Sequence, residues 1–169
     1  MTNFLGWWAV EGLATYYQMY IFKLCNWLTE EMYENEWKYY INLYWQEIVG
    51  KGLDLQLETI GGDPTIEEEL ESWIAYKKSA LVFFIFDNLI KASTNNQSQL
   101  IDFLKYYNYK LYTDYKDVDY NRCDTIFNEL LSEFTGLDFD VFYDEFIRNA
   151  NPLPIKVEGE EIVILMDWM

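Results

Sequence analysis

The chain of 169 residues contains no histidine, the residue that most often serves as a general base or binds zinc in proteins. This absence excludes Ser–His and Cys–His catalysis, and a self-contained zinc hydrolase site, within this chain. Cysteine is scarce too, because only Cys25 and Cys123 are present, far apart and without metal-ligand spacing. We therefore predict that each cysteine is a small, buried apolar residue.

Basic residues are also few. The chain has 12 lysines and arginines against 29 aspartates and glutamates, so its formal net charge is -17. Since no basic cluster interrupts this negative field, the chain repels the phosphate backbone of nucleic acid and the surface of anionic membranes. We expect neither as a partner.

Long hydrophobic runs are missing as well. The longest, from Ala80 to Phe86, is too short to cross a bilayer and is typical of a core helix. The first residues lack the basic region and following apolar stretch of a signal peptide. Aromatic residues, in contrast, make up 20% of the chain and hydrophobic residues 51%. We therefore predict one folded domain with a single core and no transmembrane segment.

Apolar and aromatic residues at three- and four-residue intervals predict two helices at the start of the chain. The first covers residues 4–28 and has Glu11 near its beginning. The second begins after Thr29, whose hydroxyl is a good cap, and ends at Gly50 and Gly52. The many aromatic residues of the second helix indicate that it packs against another layer.

The middle of the chain combines a connection with a helix of changing character. Residues 53–64 form the connection and end in a Gly-Gly-Asp-Pro turn. A capping box at residues 65–68 then starts a helix. This helix either continues to Ala92 or breaks near Trp73–Tyr76 and restarts at Ala80, since its first half is polar and its second half is apolar.

Further helices are predicted in the second half of the chain. Ser98 is placed to cap a helix whose apolar residues recur at helical intervals. Residues 109–120 are rich in tyrosine and aspartate and have no clear period, so they predict an irregular connection. Ile126 lies in the next helix, which Gly136 closes. Asp138 caps another helix, whose inward residues are Phe139, Phe142, Tyr143 and Phe146.

The tail differs from the rest of the chain. Residues 151–154, Asn-Pro-Leu-Pro, end the helical series, and a Glu-Gly-Glu turn then separates two β-rich runs. The predicted fold is therefore mainly α, a multi-helix bundle with a short C-terminal β-hairpin. Residues 1–154 are expected to form the helical subdomain, and residues 155–169 a β-rich tail compatible with the start of a following domain.

Glu11 is an unusual residue in its surroundings. Its neighbours in the sequence, among them Trp8 and Tyr16, are the kind that become buried, and a buried carboxylate is costly unless it is paired or binds a metal. One interpretation is that Glu11 lies at a helix amino terminus, where free N–H groups and the helix dipole favour negative charge.

Three segments in a fixed order provide a second interpretation. They are Trp8–Tyr17 (W-A-V-E-G-L-A-T-Y-Y), Tyr76–Val82 (Y-K-K-S-A-L-V) and Phe134–Phe142 (F-T-G-L-D-F-D-V-F). In this order and spacing the chain, from about Trp7 to Ile155, resembles the part of a gluzincin zinc metallopeptidase of the aminopeptidase kind that follows the His-Glu-x-x-His helix. The resemblance implies the helical C-terminal subdomain of a thermolysin-like catalytic domain.

The resemblance also implies roles for two residues. Glu11 matches the glutamate of W-x-x-E-G-[FL]-A, which is the third zinc ligand in that family. Tyr76 matches the tyrosine of Y-x-K-G-A, which stabilises the tetrahedral intermediate as an oxyanion donor. Two positions depart from the family pattern, since Ser79 replaces the glycine and Val10 replaces a polar residue.

The His-Glu-x-x-His segment itself is not in the sequence, and in the family it would lie before Met1. The resemblance therefore implies an intact parent enzyme that binds zinc and cleaves a peptide substrate. We expect the present chain, as an excised piece or the product of a truncated reading frame, to bind no catalytic zinc and to be inactive alone.

An alternative function is a non-enzymatic acidic helical domain that binds another protein. Both hypotheses predict that the face around Trp7, Trp8, Glu11 and Tyr76 is uncovered, or is covered by the missing N-terminal half or by a second copy of the chain. The surface alone does not distinguish them.

Overall fold

A computed structural model describes residues 6–57, 68–116, 122–166 and 168 of the chain. The α-helices are α1 (Trp7–Leu24), α2 (Glu30–Leu43), α3 (Glu68–Trp73), α4 (Ser79–Ser93), α5 (Leu100–Thr113), α6 (Cys123–Thr135) and α7 (Asp140–Phe142). Three π-helical segments, π1 (Tyr44–Ile48), π2 (Ile74–Lys78) and π3 (Tyr143–Arg148), follow α2, α3 and α7 directly, and a 3-10 turn covers Val49–Lys51. The strands are β1 (Ile155–Glu158) and β2 (Glu161–Ile164).

The described part of the chain is mainly helical and ends in a short hairpin, as predicted. Strands β1 and β2 pair antiparallel, with Ile155 opposite Ile164 and Val157 opposite Ile162. Gly159 has a φ of 60°, which the turn requires and which glycine adopts without strain. No helix among the described residues is long and apolar enough to span a membrane.

Several local signals lie where the sequence predicts them. The side chain of Thr29 accepts a hydrogen bond from the backbone N–H of Met32 at 3.2 Å and so caps α2. Gly52 and Gly136 end helical segments with φ values of 66° and 73°. Residues 80–86 are all buried, which confirms that this part of α4 is interior.

The first helix is shorter than predicted. It ends at Leu24 rather than Leu28, because Asn26 adopts a left-handed conformation with a φ of 57° and turns the chain towards α2. The predicted start at Phe4 lies outside the described residues. Cys25 lies in this turn and is exposed, so the prediction that it is buried is wrong, whereas Cys123 is buried.

The helix in the middle of the chain continues without a break, which is the first of the two predicted alternatives, and ends at Ser93. It changes to π-helical geometry over Ile74–Lys78 and remains helical from Glu68 to Ser93. The predicted Gly-Gly-Asp-Pro turn and all but the last residue of the capping box at residues 65–68 lie outside the described residues. A π segment accommodates the change from the partly exposed α3 to the buried α4 without breaking the helix.

Two predicted helix boundaries in the second half are wrong. Gln99, not Ser98, caps α5, because Gln99 and Asp102 form a capping box. The helix continues to Thr113, although residues 109–113 were expected to be irregular; Tyr109 and Tyr112 are exposed on it and interrupt the apolar period. Residues 117–120 of the predicted connection lie outside the described residues.

The boundary near Asp138 also differs from the prediction. Helix α7 begins at Asp140 with Phe139 at its cap, but Asp138 still accepts a hydrogen bond from the N–H of Asp140 at 2.9 Å. The inward aromatic residues are confirmed as buried, namely Phe139, Phe142, Tyr143 and Phe146.

Aromatic side chains around α4 form the core. Trp8 of α1 stacks on Phe83 with ring centroids 5.7 Å apart, and Trp37 of α2 lies 4.6 Å from Phe84. On the other side, Phe86 of α4 lies 6.2 Å from Phe127 of α6. Helix α4 is therefore the central element against which α1, α2 and α6 pack.

The tail packs against this helical core. The indole N–H of Trp45 donates a hydrogen bond to the carbonyl of Ile155 at 2.6 Å. Ile155 is buried, and the ring of Trp168 lies 5.9 Å from that of Phe139 and 5.2 Å from that of Phe142. These contacts connect the hairpin and its following residues to α2, α7 and their flanking segments.

Candidate functional site

The fold brings Glu11 and Tyr76, which are distant in sequence, to the same helix crossing, where Gly12 lies against Ser79. Glu11 lies in the second turn of α1 and is half-buried, and Tyr76 lies in π2 with 39% of its surface exposed. Hydrogen bonding to Glu11, together with the negative charge of Glu11, raises the pKa of Tyr76 above its ordinary value.

A close approach between two helical segments makes this interaction geometrically feasible. A Cβ atom at Gly12 would lie 2.5 Å from the Cβ of Ser79 and 2.8 Å from its carbonyl carbon. Only glycine therefore fits at position 12. Since Gly12 follows Glu11 and Ser79 lies one turn after Tyr76, the crossing brings the two functional candidates to the same surface.

Ser79, where the family pattern has glycine, fits at this crossing. It is fully buried, and its hydroxyl donates a hydrogen bond to the carbonyl of Ile74 at 3.4 Å. The additional polar group therefore has a partner inside the helix and does not force α1 away. A serine is tolerated because the glycine that the close approach requires is Gly12.

The position of Glu11 does not agree with the helix-dipole interpretation. Helix α1 has no acidic residue in its first turn, and Glu11 is one turn further along, where the dipole effect is weak. Its neighbours Trp8 and Tyr16 are buried, as expected, whereas Val10 is 45% exposed. Its effect on the pKa of Tyr76 is specific rather than a general helix-end effect.

The two lysines that follow Tyr76 have partners elsewhere. The ammonium of Lys77 lies 4.1 Å above the ring of Tyr40 and donates a hydrogen bond to its hydroxyl at 2.9 Å. Lys78 is fully buried. The hydroxyl of Tyr76 is protonated at neutral pH, as in any tyrosine whose pKa is not lowered, and so has a proton to donate to a developing negative charge.

Within the described ranges, no three cysteine, aspartate or glutamate side chains are arranged so that they could together hold a metal ion. Glu11 can still contribute one carboxylate oxygen to a metal whose other ligands come from another segment. The donor type fits zinc, which binds aspartate and glutamate oxygens as well as histidine nitrogens.

The sequence did not indicate a buried ion pair next to this site. Lys78 lies 2.6 Å from the carboxylate of Asp54, and both side chains are buried. Nothing in the sequence pairs these residues, because Asp54 lies in a connection and Lys78 in a basic dipeptide before an apolar run. The only signal was the charge of Lys78 immediately before a helix that is interior.

A second buried carboxylate, Asp87, was also missed. It accepts a hydrogen bond from the backbone N–H of Leu100 at 2.8 Å and pairs with Lys91 at 2.5 Å, and its negative charge helps to raise the pKa of Tyr16. The signal was present, since Asp87 is the single charge within the apolar stretch of α4 from Ala80 to Ile90. These partners connect α4 to α1 and to the start of α5 and explain why a carboxylate is tolerated there.

Comparison with known proteins identifies no relative of this chain. No protein-family model, no curated protein and no solved structure matches it. The case for a function therefore depends on the three sequence segments and on the helix crossing that brings Glu11 and Tyr76 together.

Proposed function

We propose that this chain is the C-terminal helical portion of a zinc-dependent aminopeptidase catalytic domain. Glu11 is the third zinc ligand of that parent enzyme, and Tyr76 is its oxyanion donor. The observation that supports this most is the close approach of Gly12 to Ser79, because it brings together two motif segments that have no local reason to meet. The influence of Glu11 on the pKa of Tyr76 agrees with a shared centre.

The chemistry of each residue fits its role. Glu11 is half-buried, so its carboxylate can bind a metal without the full cost of burying an isolated charge. When bound, zinc activates a water molecule and polarises the carbonyl of the peptide bond. Tyr76, a neutral hydroxyl with one proton, would exchange its hydrogen bond to Glu11 for one to the oxyanion that forms on that carbonyl.

The chain is inactive by itself in this proposal. It contains no histidine, so the two imidazole ligands and the general base must come from a His-Glu-x-x-His segment that is not in the sequence. The substrate of the complete enzyme is a peptide. Zinc is its cofactor.

The test begins with the reading frame upstream of the Met1 codon. If it encodes His-Glu-x-x-His in frame, the joined protein is expressed, its zinc content is measured by mass spectrometry, and its activity is assayed on aminoacyl anilides. We expect one zinc per protein, loss of zinc in Glu11→Gln, and retained zinc with a kcat lower by about 10²–10³-fold in Tyr76→Phe. Glu36→Gln is a matched control, since Glu36 is an exposed residue of α2.

Three results would contradict the proposal. One is an upstream sequence without the His-Glu-x-x-His motif. Another is a joined protein whose zinc content and activity are unaffected by Glu11→Gln. A wild-type turnover in the present chain alone would contradict it as well.

One observation favours the alternative of a non-enzymatic protein-interaction domain. The corner between α1 and α2 exposes apolar side chains, with Leu24 62% and Trp27 71% exposed, and Ile21 and Met32 each 50% exposed. Exposed apolar patches mark interaction surfaces. The expected open face near the amino terminus is only partly present, because Trp8 is buried with 1% exposure while Tyr76 is exposed. An upstream sequence without the zinc motif would favour this alternative.

A further inference from the structure

The second strand of the hairpin has an edge without a partner strand. Within the described ranges the sheet consists of β1 and β2, so β2 pairs with β1 on one side and with no strand on the other. An open edge presents backbone N–H and C=O groups that another extended chain can bind. What the edge of β2 can bind depends on which of its backbone groups point outward.

The register of the hairpin determines which groups these are. In an antiparallel pair, opposite residues alternate between hydrogen-bonded and non-hydrogen-bonded positions. The N–H of Leu165 donates a hydrogen bond to the carbonyl of Pro154 at 2.8 Å, so this pair is hydrogen-bonded. Ile164 and Ile162 precede Leu165 by one and three residues and so occupy the non-hydrogen-bonded positions. Their N–H and C=O groups therefore point away from β1, towards the open edge.

A groove runs along this edge of the sheet. It has a volume of about 340 Å³ and is lined by residues of α2, α4 and β2 but by none of β1, namely Glu34, Phe84, Asn88, Glu161, Ile162 and Ile164. A smaller cleft of about 170 Å³ shares Phe84, Asn88 and Ile162 with the groove and extends it towards the end of α1. Since alternate residues of a strand share one face, Ile162 and Ile164 form an apolar floor together with Phe84.

The opposite face of the hairpin carries an unbalanced negative charge. Glu158 and Glu161 lie directly opposite each other, and like charges in such a pair are destabilising. Lys156 pairs with Glu158 at 2.5 Å, whereas Glu161 has no ion-pair partner among the described residues. A lysine or arginine beside Glu161 on a third strand would compensate its charge.

A second copy of this chain is a poor occupant of the edge. Each chain has a net charge of -17, so two copies repel each other. The edge itself has little protection against pairing, because residues 162–166 contain no charged residue and no proline. Both observations favour a partner that is extended and basic.

We propose that the free edge of β2 binds an extended segment of another protein as a third, antiparallel strand. Apolar residues of that segment lie opposite Ile162 and Ile164 and exchange backbone hydrogen bonds with them, and a basic residue lies opposite Glu161. This surface is separate from the proposed catalytic residues, because Asn88 lies roughly 13 Å along α4 from Ser79. The inference therefore goes beyond the proposed function and does not depend on it.

The test uses three synthetic peptides of equal charge. The probe is acetyl-Lys-Val-Lys-Val-Lys-amide. In the first variant both valines are N-methylated, which removes the N–H groups that face β2 in the proposed pairing. In the second variant the middle and last lysines are N-methylated, whose N–H groups face away from β2. General attraction of a basic peptide to an acidic protein affects all three alike.

Binding is measured on the complete chain by NMR titration of the ¹⁵N-labelled protein. We expect the probe to shift the amide signals of Ile162 and Ile164. The lysine-methylated peptide should bind within about threefold of the probe, and the valine-methylated peptide about tenfold or more weakly, because it loses two hydrogen bonds.

A charge reversal tests the role of Glu161. Glu161→Lys should weaken binding of the probe by about 2–30-fold, because an attraction across the strands becomes a repulsion. The matched control is Glu36→Lys, which changes the net charge equally at an exposed position of α2 that does not line the groove. It should change the affinity by less than about twofold, since salt screens distant charges.

Equal affinities of the two methylated peptides would overturn the inference, because they would show attraction by charge without strand pairing. So would the absence of shifts at Ile162 and Ile164 with the probe at up to about 1 mM. Shifts of these two signals on dilution of the protein alone would assign the edge to a second copy of the chain, and the inference would be wrong.

Discussion

Gly12 of α1 lies directly against Ser79 at the start of α4, so closely that a Cβ atom on Gly12 would be 2.5 Å from that of Ser79. This distance is shorter than any ordinary contact between carbon atoms. The contact determines how near α1 and π2 approach each other. It thereby brings Glu11 and Tyr76, each close to one of these residues, near enough for Glu11 to raise the pKa of Tyr76.

Gly12→Ala is expected to destabilise the protein although it lies within a helix. Alanine has a higher helix propensity than glycine by about 1 kcal/mol, so without a steric conflict it would stabilise α1. Overpacking against Ser79 should instead reduce the free energy of unfolding by about 1–3 kcal/mol. Urea unfolding followed by circular dichroism measures this change. The control Ala14→Gly, at an exposed position of α1, should lose about 1 kcal/mol. A more stable Gly12→Ala protein would contradict the close contact.

Glu11→Gln is expected to lower the pKa of Tyr76 towards the ordinary value of tyrosine. The hydrogen bond to Glu11 is the largest cause of the raised pKa, and its negative charge is the next. Both are weakened when the carboxylate becomes an amide. Titration of the tyrosine signals by NMR measures the change, with exposed Tyr112 in the same spectrum as internal reference. A Tyr76 pKa that is identical in both proteins would show that the two side chains are not in contact in solution.

Stability should decrease at high pH because several tyrosines are buried. Burial raises the pKa of Tyr16 and Tyr107 well above the ordinary value of 10.0, and that of Tyr33 to about 12. As pH rises, the unfolded chain releases these protons at a lower pH than the folded chain does. The contribution of the buried tyrosines to the free energy of unfolding is therefore fully present below pH 10 and is lost as pH rises further.

Two tyrosine variants distinguish loss of stability caused by the ionisation of a buried tyrosine from loss of stability caused by high pH in general. Between about pH 10 and 12, Tyr16→Phe should make the decline in unfolding free energy less steep by about 1.4 kcal/mol per pH unit. Tyr112→Phe, at an 82% exposed position, should leave the slope unchanged. Urea unfolding at a series of pH values gives both slopes. Equal slopes in the wild type and Tyr16→Phe would refute the assignment to Tyr16.

Trp168→Ala is expected to destabilise the helical core, although Trp168 lies in the predicted tail. Its side chain is 8% exposed and packs against Phe139 and Phe142. Loss of a buried tryptophan costs about 3–5 kcal/mol. Trp27→Ala, at a 71% exposed position, should change stability by only about 0.5 kcal/mol or less. If unfolding of the helices is unaffected by Trp168→Ala, the tail is independent of the bundle.

The sequence was informative where a residue acts on its immediate neighbours along the chain. Thr29 caps α2 through a contact that spans three residues, and Gly136 ends α6 because its own backbone tolerates a positive φ. The interior position of Ala80 to Phe86 was also readable, since a helix that is apolar on all sides has no face to present to water.

Predictions were less accurate where distant segments decide the outcome. Cys25 is exposed because the chain turns at Asn26, and π2 replaces a break because α3 and α4 remain one helical unit. The pairing of Lys78 with Asp54 joins two segments whose local sequences contain no sign of each other. Such contacts depend on how helices cross rather than on their periodicity.

By itself, the sequence determined the helical class of the described fold, its central apolar helix and the terminal hairpin, because these follow from periodicity, caps and turn residues. It also singled out Glu11 and Tyr76 as candidates. Only the tertiary structure decided that these two residues lie at one helix crossing, since that depends on the close approach of Gly12 to Ser79. The physical reason is that helix propensity is a property of neighbouring residues, whereas a site is formed by packing between helices that the chain brings together from a distance.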